Sequence, residues 1–162
     1  LTTADIRVPQ SKREYAINAS NYRFWPKPIR DYIDDLVAGT EGPRGQDFNM
    51  RWVASMVAEA FRIMVRGGVY IYPRDSRKGY ENGRLRLVYE ANPMALVFEQ
   101  AGGAATDGVT RIMDIQPASL HQRVPLVFGS ADKVARIARY HTEISTRDQK
   151  SPLFSERGLF RV

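Results

Sequence analysis

The chain has 162 residues, with 43% hydrophobic, 26% charged and 10% aromatic residues and no cysteine. That length suits one domain, the apolar share builds a core rather than a disordered chain, and the lack of cysteine excludes disulfides, thiolate nucleophiles and Cys-ligated zinc. The 24 Lys and Arg against 18 Asp and Glu leave +6, but without a polybasic run or basic tail, which fits a pocket for a small anion better than a groove along a nucleic acid backbone.

Leu1-Thr-Thr-Ala-Asp-Ile6 has neither the basic start nor the apolar run of a signal peptide, and a chain opening on Leu1 reads as a piece of something longer. Glu14-Tyr-Ala-Ile17 is a short strand candidate running into the polar stretch Asn18-Ala-Ser-Asn21. Pro26 and Pro28 open a helix, because proline is tolerated in a first turn; Ile29, Tyr32, Ile33, Leu36 and Val37 make its apolar stripe and Gly39 stops it. After a loop over 40–47, Trp52, Val53, Met56, Val57, Ala60, Ile63 and Met64 recur with a helical period, which predicts a helix from Arg51 to Arg66 ended by Gly67-Gly68.

Val69 to Tyr72 reads as a strand closed by Pro73, followed by a polar loop ending in the turn dipeptide Asn82-Gly83. Arg84-Leu-Arg-Leu-Val88 alternates as a strand. Asn92 as cap and Pro93 at the first helical position start a helix through Gln100. Ala104–Thr106, Arg111–Ile115 and Pro125–Phe128 are short strand candidates, and Ser130 caps a last helix through about Tyr140. Strands alternating with helices imply a layered α/β domain. The tail from Thr142 is polar until Leu153-Phe154 and Leu159-Phe160, which suit a C-terminal hook. No apolar run is long enough to cross ~30 Å of hydrocarbon.

Few residues present themselves for chemistry. His121 and His141 lack neighbours at ligand spacing and read as structural or surface groups; Gly129-Ser130-Ala131 reads as a helix cap rather than a nucleophile elbow, and neither a G-x-G-x-x-G nor a P-loop string occurs. Glu90 follows a strand and precedes a helix start, where open α/β sheets place ligands. There it either holds a hard cation such as Mg²⁺ or favours the positive end of the next helix. Arg84 and Arg86 either fork onto a phosphate or form a solvated strand face. Tyr72 and Tyr89 are either hydroxyl donors to the same anion or half-buried packing residues. Met56 reads as core, and Arg51 as a helix-start residue facing water. The residues alone point to a small-anion-binding α/β domain and name no substrate.

Read as strings, several segments resemble class 1 fructose-1,6-bisphosphatase: Glu14-Tyr-Ala-Ile-Asn18, Arg51-Trp-Val-Ala-Ser-Met-Val-Ala-Glu59, Gly67-Gly68 leading to Tyr72-Pro73, Gly83-Arg-Leu-Arg-Leu-Val-Tyr-Glu-Ala-Asn-Pro-Met94, Glu99 to Gly103, His121 to Pro125, and Phe128-Gly-Ser130. The Leu-Arg-Leu-x-Tyr-Glu-x-Asn-Pro-Met segment is highly specific, and the tail is similar to bacterial members. The resemblance implies a three-layer α/β/α domain with a mixed sheet of about five strands. In it, residues 1–141 are the C-terminal sugar-phosphate-binding domain, 142–162 the tail, and an N-terminal metal and effector domain is missing.

It further implies that Asn18, Tyr72 and Arg84 hold the 6-phosphate of fructose 1,6-bisphosphate and Arg51 reaches a neighbouring subunit's 6-phosphate. Met56 contacts the sugar, Tyr22 stands beside the phosphate-binding positions, and Glu90 ligates Mg²⁺. No catalytic residue is assigned in this half, because the acidic Asp-Pro-x-Asp-Gly metal segment is not found. Arg84 stands where Lys is usual in animal enzymes, and Trp52 and Asn21 stand where those have Tyr. The implied enzyme is a cytoplasmic homo-oligomer that hydrolyses the 1-phosphate and releases fructose 6-phosphate in gluconeogenesis, and the isolated chain is expected to be inactive. The alternatives are an inositol monophosphatase-like enzyme acting on another sugar phosphate, or a non-catalytic anion-binding module; no nucleic acid or membrane partner is expected.

Overall fold

Val69-Tyr-Ile-Tyr72 and Leu126-Val-Phe-Gly-Ser130 are dense in β-branched and aromatic residues, which fit a pleated surface, and they pair antiparallel at the centre of the sheet. The computed structural model describes residues 5–143; the tail's Leu-Phe pairs lie outside the described residues. One mixed sheet contains β1 (Glu14–Ala16), β2 (Asn49–Met50), β3 (Val69–Tyr72), β5 (Gly103–Thr106) and β7 (Leu126–Ser130), in the spatial order β2-β1-β3-β7-β5. β1 runs parallel to both β2 and β3, while β7 is antiparallel to β3 and β5. A separate ribbon pairs β4 (Leu85–Arg86) with β6 (Arg123–Val124).

Side chains alternate across a strand, so the sheet feeds two cores. Tyr70 and Phe128 join Ala60 and Ile63 of α2 (Met56–Arg66) and Ala95 and Phe98 of α3 (Asn92–Gln100) on one face. Val69, Ile71 and Val127 meet Ile29, Tyr32 and Leu36 of α1 (Lys27–Val37) and Ile137 of α4 (Ala131–Thr142) on the other. The layering is therefore α/β/α, as expected. Phe128 is the hub of the first core: it stacks on Tyr70 at 4.7 Å and tilts against Phe98 at 4.5 Å between ring centroids. Gly129 lets β7 press onto the chain entering β3. Its φ is +148°, and a Cβ there would meet the Gly68 carbonyl oxygen at 2.3 Å.

Several expected elements take another form. The helix expected from Arg51 starts at Met56, where the Ser55 hydroxyl accepts from Ala58 N–H at 3.4 Å. Arg51–Ser55 is held out of the helix because Arg51 N–H goes to the Tyr15 carbonyl (2.8 Å) and Val53 N–H to the Glu59 carboxylate (2.7 Å), with Ala54 at φ +64°. The helical phase shifts with the start, so Val57 faces outward rather than into the core. Val37, at the end of α1, is exposed as well.

The strand expected over 84–88 is only the two residues of β4. Leu87–Ala91 then makes one π-helical turn that runs straight into α3. Asn92 is consequently helical rather than a cap, and its buried Oδ1 takes no hydrogen bond. Arg111–Ile115 holds a 3₁₀ turn (Ile112–Asp114) instead of a strand, since Arg111 pairs with Thr106 across the Asp107-Gly108 turn. Ser130 does not cap α4; its hydroxyl accepts from Gly68 N–H and donates to the Pro9 carbonyl, tying the first described segment to the sheet.

Truncating Phe128 to Ala empties the joint of three aromatic side chains and is expected to cost about 3–5 kcal/mol. Urea unfolding should show a lower midpoint at unchanged slope; a loss under about 1 kcal/mol would place the hub elsewhere.

Candidate functional site

β1 and β3 run parallel with Tyr15 opposite Val69 and Ala16 opposite Tyr70. Carried two residues on, this register sets Asn18 at the level of Tyr72, both on the face that carries Tyr70, with strands about 4.8 Å apart. The chain turns immediately after: Asn18 Oδ1 accepts from Ser20 N–H at 3.3 Å and from the Ser20 hydroxyl at 2.5 Å, capping a 3₁₀ turn over Ala19–Phe24. Pro73 ends β3, and the loop that follows folds back on a buried anchor, Asp75. Its carboxylate accepts from the Arg77 backbone N–H and guanidinium, while Asp75 N–H donates to the Tyr80 carbonyl.

That anchor lines up rings and cations alternately. Arg77 lies over Phe24 (4.7 Å) and Tyr80 (5.1 Å); Arg84 lies over Tyr80 (4.3 Å) and reaches the Tyr72 ring at 5.9 Å. Ring faces carry partial negative charge, so the stack supports both cations: Arg77 is also paired with Asp75, while Arg84 has no carboxylate within ion-pair distance among the described residues. Burial pushes the Asp75 carboxyl up, but the bonds from Arg77 and the nearby Arg84 charge bring it below its ordinary value. On the other side Trp52 stacks on Tyr70 at 5.9 Å and tilts against Tyr72 at 6.2 Å, and Met56 packs against the same core. Burial first, then the fields of Tyr72, Glu59 and Glu90, raises the Tyr70 hydroxyl's pKa, which places Glu90 within electrostatic reach of this cluster.

Glu90 sits on the π turn. Its Oε2 accepts from Arg86 N–H at 2.6 Å and lies 3.6 Å from the Arg86 guanidinium, while Oε1 takes no hydrogen bond from the described residues. A free carboxylate oxygen, partly exposed, suits a hard cation. Among the described residues, however, no three His, Cys, Asp or Glu side chains gather into a metal site. The donor type fits Mg²⁺, and the donor number fits one contribution to a shared site. Arg86 thereby has the Glu90 carboxylate beside its guanidinium.

Arg51 belongs to a different cluster. Glu14, 2% exposed, accepts from Arg51 Nε (3.0 Å) and Arg66 (2.9 Å) on Oε1 and from Arg62 (2.7 Å) on Oε2, with Lys12 at 3.5 Å. Arg62 also bonds Glu59, which is fully buried. Tyr22, the other implied substrate residue, donates its hydroxyl to Asp34 at 2.8 Å and packs edge-on against Trp25, away from the Tyr72–Arg84 ladder. His121 bonds the exposed Tyr89 hydroxyl at 2.9 Å, and His141 lies 3.0 Å from the Ile137 carbonyl. Neither lies in a metal cluster.

The structure thus brings Tyr72 into ring contact with both Arg84 and Trp52 and sets Asn18 just beyond the end of β1, while the contacts of Glu90, Arg51 and Tyr22 are with Arg86, Glu14 and Asp34. Sequence reading missed Arg77, Tyr80 and Glu14. Three basic residues, Arg74, Arg77 and Lys78, between Tyr72 and Tyr80 are the signal that points to the first two. Arg62 and Arg66, one helical turn apart, point to a buried carboxylate between them.

The sequence model of a family described as "Fructose-1-6-bisphosphatase, C-terminal domain" matches residues 8–142. The class 1 fructose-1,6-bisphosphatase of Sinorhizobium medicae is 62% identical over 157 residues, covering 97% of this chain and 45% of that protein. A class 1 enzyme of Cereibacter sphaeroides is 64% identical over 156 residues, covering 96% and 46%. Leishmania major fructose-1,6-bisphosphatase in its T-state superposes with a TM-score of 0.78 at 34% identity, covering 86% of this chain and 41% of that one. The chain spans about half the length of the curated relatives it matches.

Burial pushes the Glu14 carboxyl up, and hydrogen bonds from Arg51 and Arg66 more than offset it, leaving it below its ordinary 4.5. Such a group stabilises the fold above pH 4.5 and loses that contribution as pH falls through its folded value. Thermal midpoints measured from pH 7 to 3 should therefore fall more steeply below pH 4.5 in the parent than in Glu14→Gln; parallel curves would show the carboxylate uncoupled from folding.

Proposed function

The chain belongs to the fructose-1,6-bisphosphatase family, as a C-terminal domain, and from that membership we propose that it is the sugar-phosphate-holding part of an Mg²⁺-dependent phosphatase that converts fructose 1,6-bisphosphate to fructose 6-phosphate. The observation that carries this reading is the meeting of Arg84, Tyr72 and Tyr80 at the shared end of β1 and β3. Arg84 is charged, half-buried and stacked on rings instead of paired with a carboxylate, so its fork remains for a phosphate. The Tyr72 hydroxyl and Asn18 amide add neutral donors beside it. Met56 and Trp52 present an apolar wall on which a sugar ring can lie.

In this reading the domain grips the end of the substrate that does not react. A grip on the distal phosphate adds affinity that is the same before and during reaction, so it shows in KM. Glu90 is the donor this chain offers to Mg²⁺, and Arg86 N–H fixes that carboxylate's orientation. The bound metal would supply neutralising charge and an activated water at the 1-phosphate. One carboxylate does not make that site, so the 162-residue chain alone is taken to be a binding domain without phosphatase activity.

Arg51 is assigned to a neighbouring subunit's distal phosphate; its side chain is bound to Glu14, outside the Tyr72–Arg84 ring stack, which agrees with this. A homo-oligomer also suits the outward apolar stripe of α2: Val57, Phe61 and Val65 are 65%, 73% and 59% exposed. Such a stripe on one helix face marks an interaction surface. Residues 1–141 form the proposed binding domain, though α4 continues to Thr142, and 142–162 the tail. Among the described residues no helix is long and apolar enough to cross a membrane; we place the enzyme in the cytoplasm, in gluconeogenesis.

In a full-length enzyme carrying this domain, Arg84→Met should raise KM for the bisphosphate by about tenfold or more, roughly 1.4 kcal/mol of binding, with kcat little changed. Glu90→Gln should instead lower kcat about 100-fold. An unchanged KM in the arginine variant would remove the distal-phosphate assignment. Mg²⁺-dependent phosphate release by the purified 162-residue chain would refute its role as a binding domain alone.

A further inference from the structure

The connection Arg51–Ser55, between β2 and α2, is held from beneath by two buried carboxylates. Glu59 Oε1 accepts from Val53 N–H at 2.7 Å, and Glu14 Oε1 accepts from Arg51 Nε at 3.0 Å. The second contact is specific about which part of Arg51 it uses. A guanidinium has one Nε–H on its stem and two NH₂ groups at its far edge. Here the stem is bound while neither NH₂ has a partner among the described residues, and the side chain is 52% exposed. The stem is anchored and the fork is free.

We propose that Glu14 is a positioning residue for anion binding: it fixes the Arg51 side chain by its Nε so that the two NH₂ groups are presented outward, already ordered, to a phosphate on a second copy of the chain. This rests on the role assigned to Arg51 above. An unanchored arginine must give up its rotamer freedom on binding, and an anchored one has given it up on folding. The obvious objection is that a carboxylate quenches the charge it holds. The composition of the cluster answers it: Glu14 faces Lys12, Arg51, Arg62 and Arg66, and Glu59 takes part of Arg62. Positive charge remains in excess, and of these cations Arg51 is the most exposed. Glu14 therefore orients Arg51 without neutralising the face it presents.

The test compares KM and kcat in a full-length enzyme carrying this domain, with fructose 1,6-bisphosphate and with fructose 1-phosphate, which lacks the distal group. Arg51→Ala should raise KM for the bisphosphate about tenfold, and Glu14→Gln at least about threefold, both with kcat within about twofold. With fructose 1-phosphate neither variant should move kcat/KM by more than about twofold. The double variant should be no worse than Arg51→Ala alone, because both act through one side chain.

Glu14→Asp keeps the charge but withdraws the acceptor by about 1.5 Å. It should also raise KM, and it decides the matter if Glu14→Gln fails to fold. Quenching predicts the opposite: a lower KM in Glu14→Gln and no change in Glu14→Asp, either of which overturns the proposal. If Arg51→Ala raises KM while folded Glu14 variants leave it alone, the proposal falls and the Arg51 role stands. If Arg51→Ala itself leaves KM unchanged, the Arg51 role fails and the proposal with it.

Discussion

A parallel register between two short strands organises this domain. Tyr15 opposite Val69 and Ala16 opposite Tyr70 is all the pairing β1 and β3 possess, yet it brings both chains off the sheet at one level. Everything in the candidate phosphate site hangs from that shared end: the capped turn beginning at Asn18, the loop that follows Pro73, and the ring ladder returning through Tyr80 to Arg84. A one-residue slip would reverse the faces of every side chain beyond it. The close approach of Gly68 to the backbone of Glu14 opposes that slip, because a Cβ at any residue brought to that point would meet the Glu14 carbonyl oxygen at 2.8 Å.

The two arginines to which we give phosphate roles are held by opposite means. Arg84 rests on tyrosine faces and has no carboxylate partner among the described residues, so its charge is retained where an anion is proposed to sit. Arg51 is held by a carboxylate, but at its stem and within a cluster where cations outnumber anions. Buried ion clusters seldom repay their desolvation in stability alone. The Glu14 and Glu59 pair is better understood as a clamp on the segment 51–55, which it keeps out of the helix that the apolar periodicity favours.

This division of labour matches what the chain has and lacks. In the proposed reading Glu90 is the carboxylate available to a metal and Arg84 and Tyr72 are the side chains for a distal phosphate, and there is no metal cluster among the described residues. A domain used in that way would supply affinity for the substrate, with the reacting end served from elsewhere in the protein. The π turn at Leu87–Ala91, a feature common at functional sites, carries Glu90, and the N–H of Arg86 just before it bonds that carboxylate.

The sequence by itself determined the layers, the central strand Val69–Tyr72 and, from Pro125 to Phe128, most of its antiparallel partner, helix α1, the turn at Asn82-Gly83 and the family, because these rest on local periodicity, on proline and glycine, and on strings of residues. It also pointed to Arg84 and Glu90, which stand beside and within the most specific string, and to Tyr72, which lies in a separate matching segment. Only the tertiary structure decided where α2 begins, that 84–88 leaves the sheet after two residues, that Tyr80 and Arg77 stand beside Tyr72, and that Arg51 is tethered to Glu14. Each of those depends on a partner distant in sequence: Tyr15 and Glu59 for the start of α2, Arg123–Val124 for the ribbon, Phe24 for the ladder, and a glutamate 37 residues upstream for Arg51. Periodicity registers the neighbours a residue has along the chain, and a hydrogen bond to a buried carboxylate across the fold outweighs the small helical preference that periodicity measures.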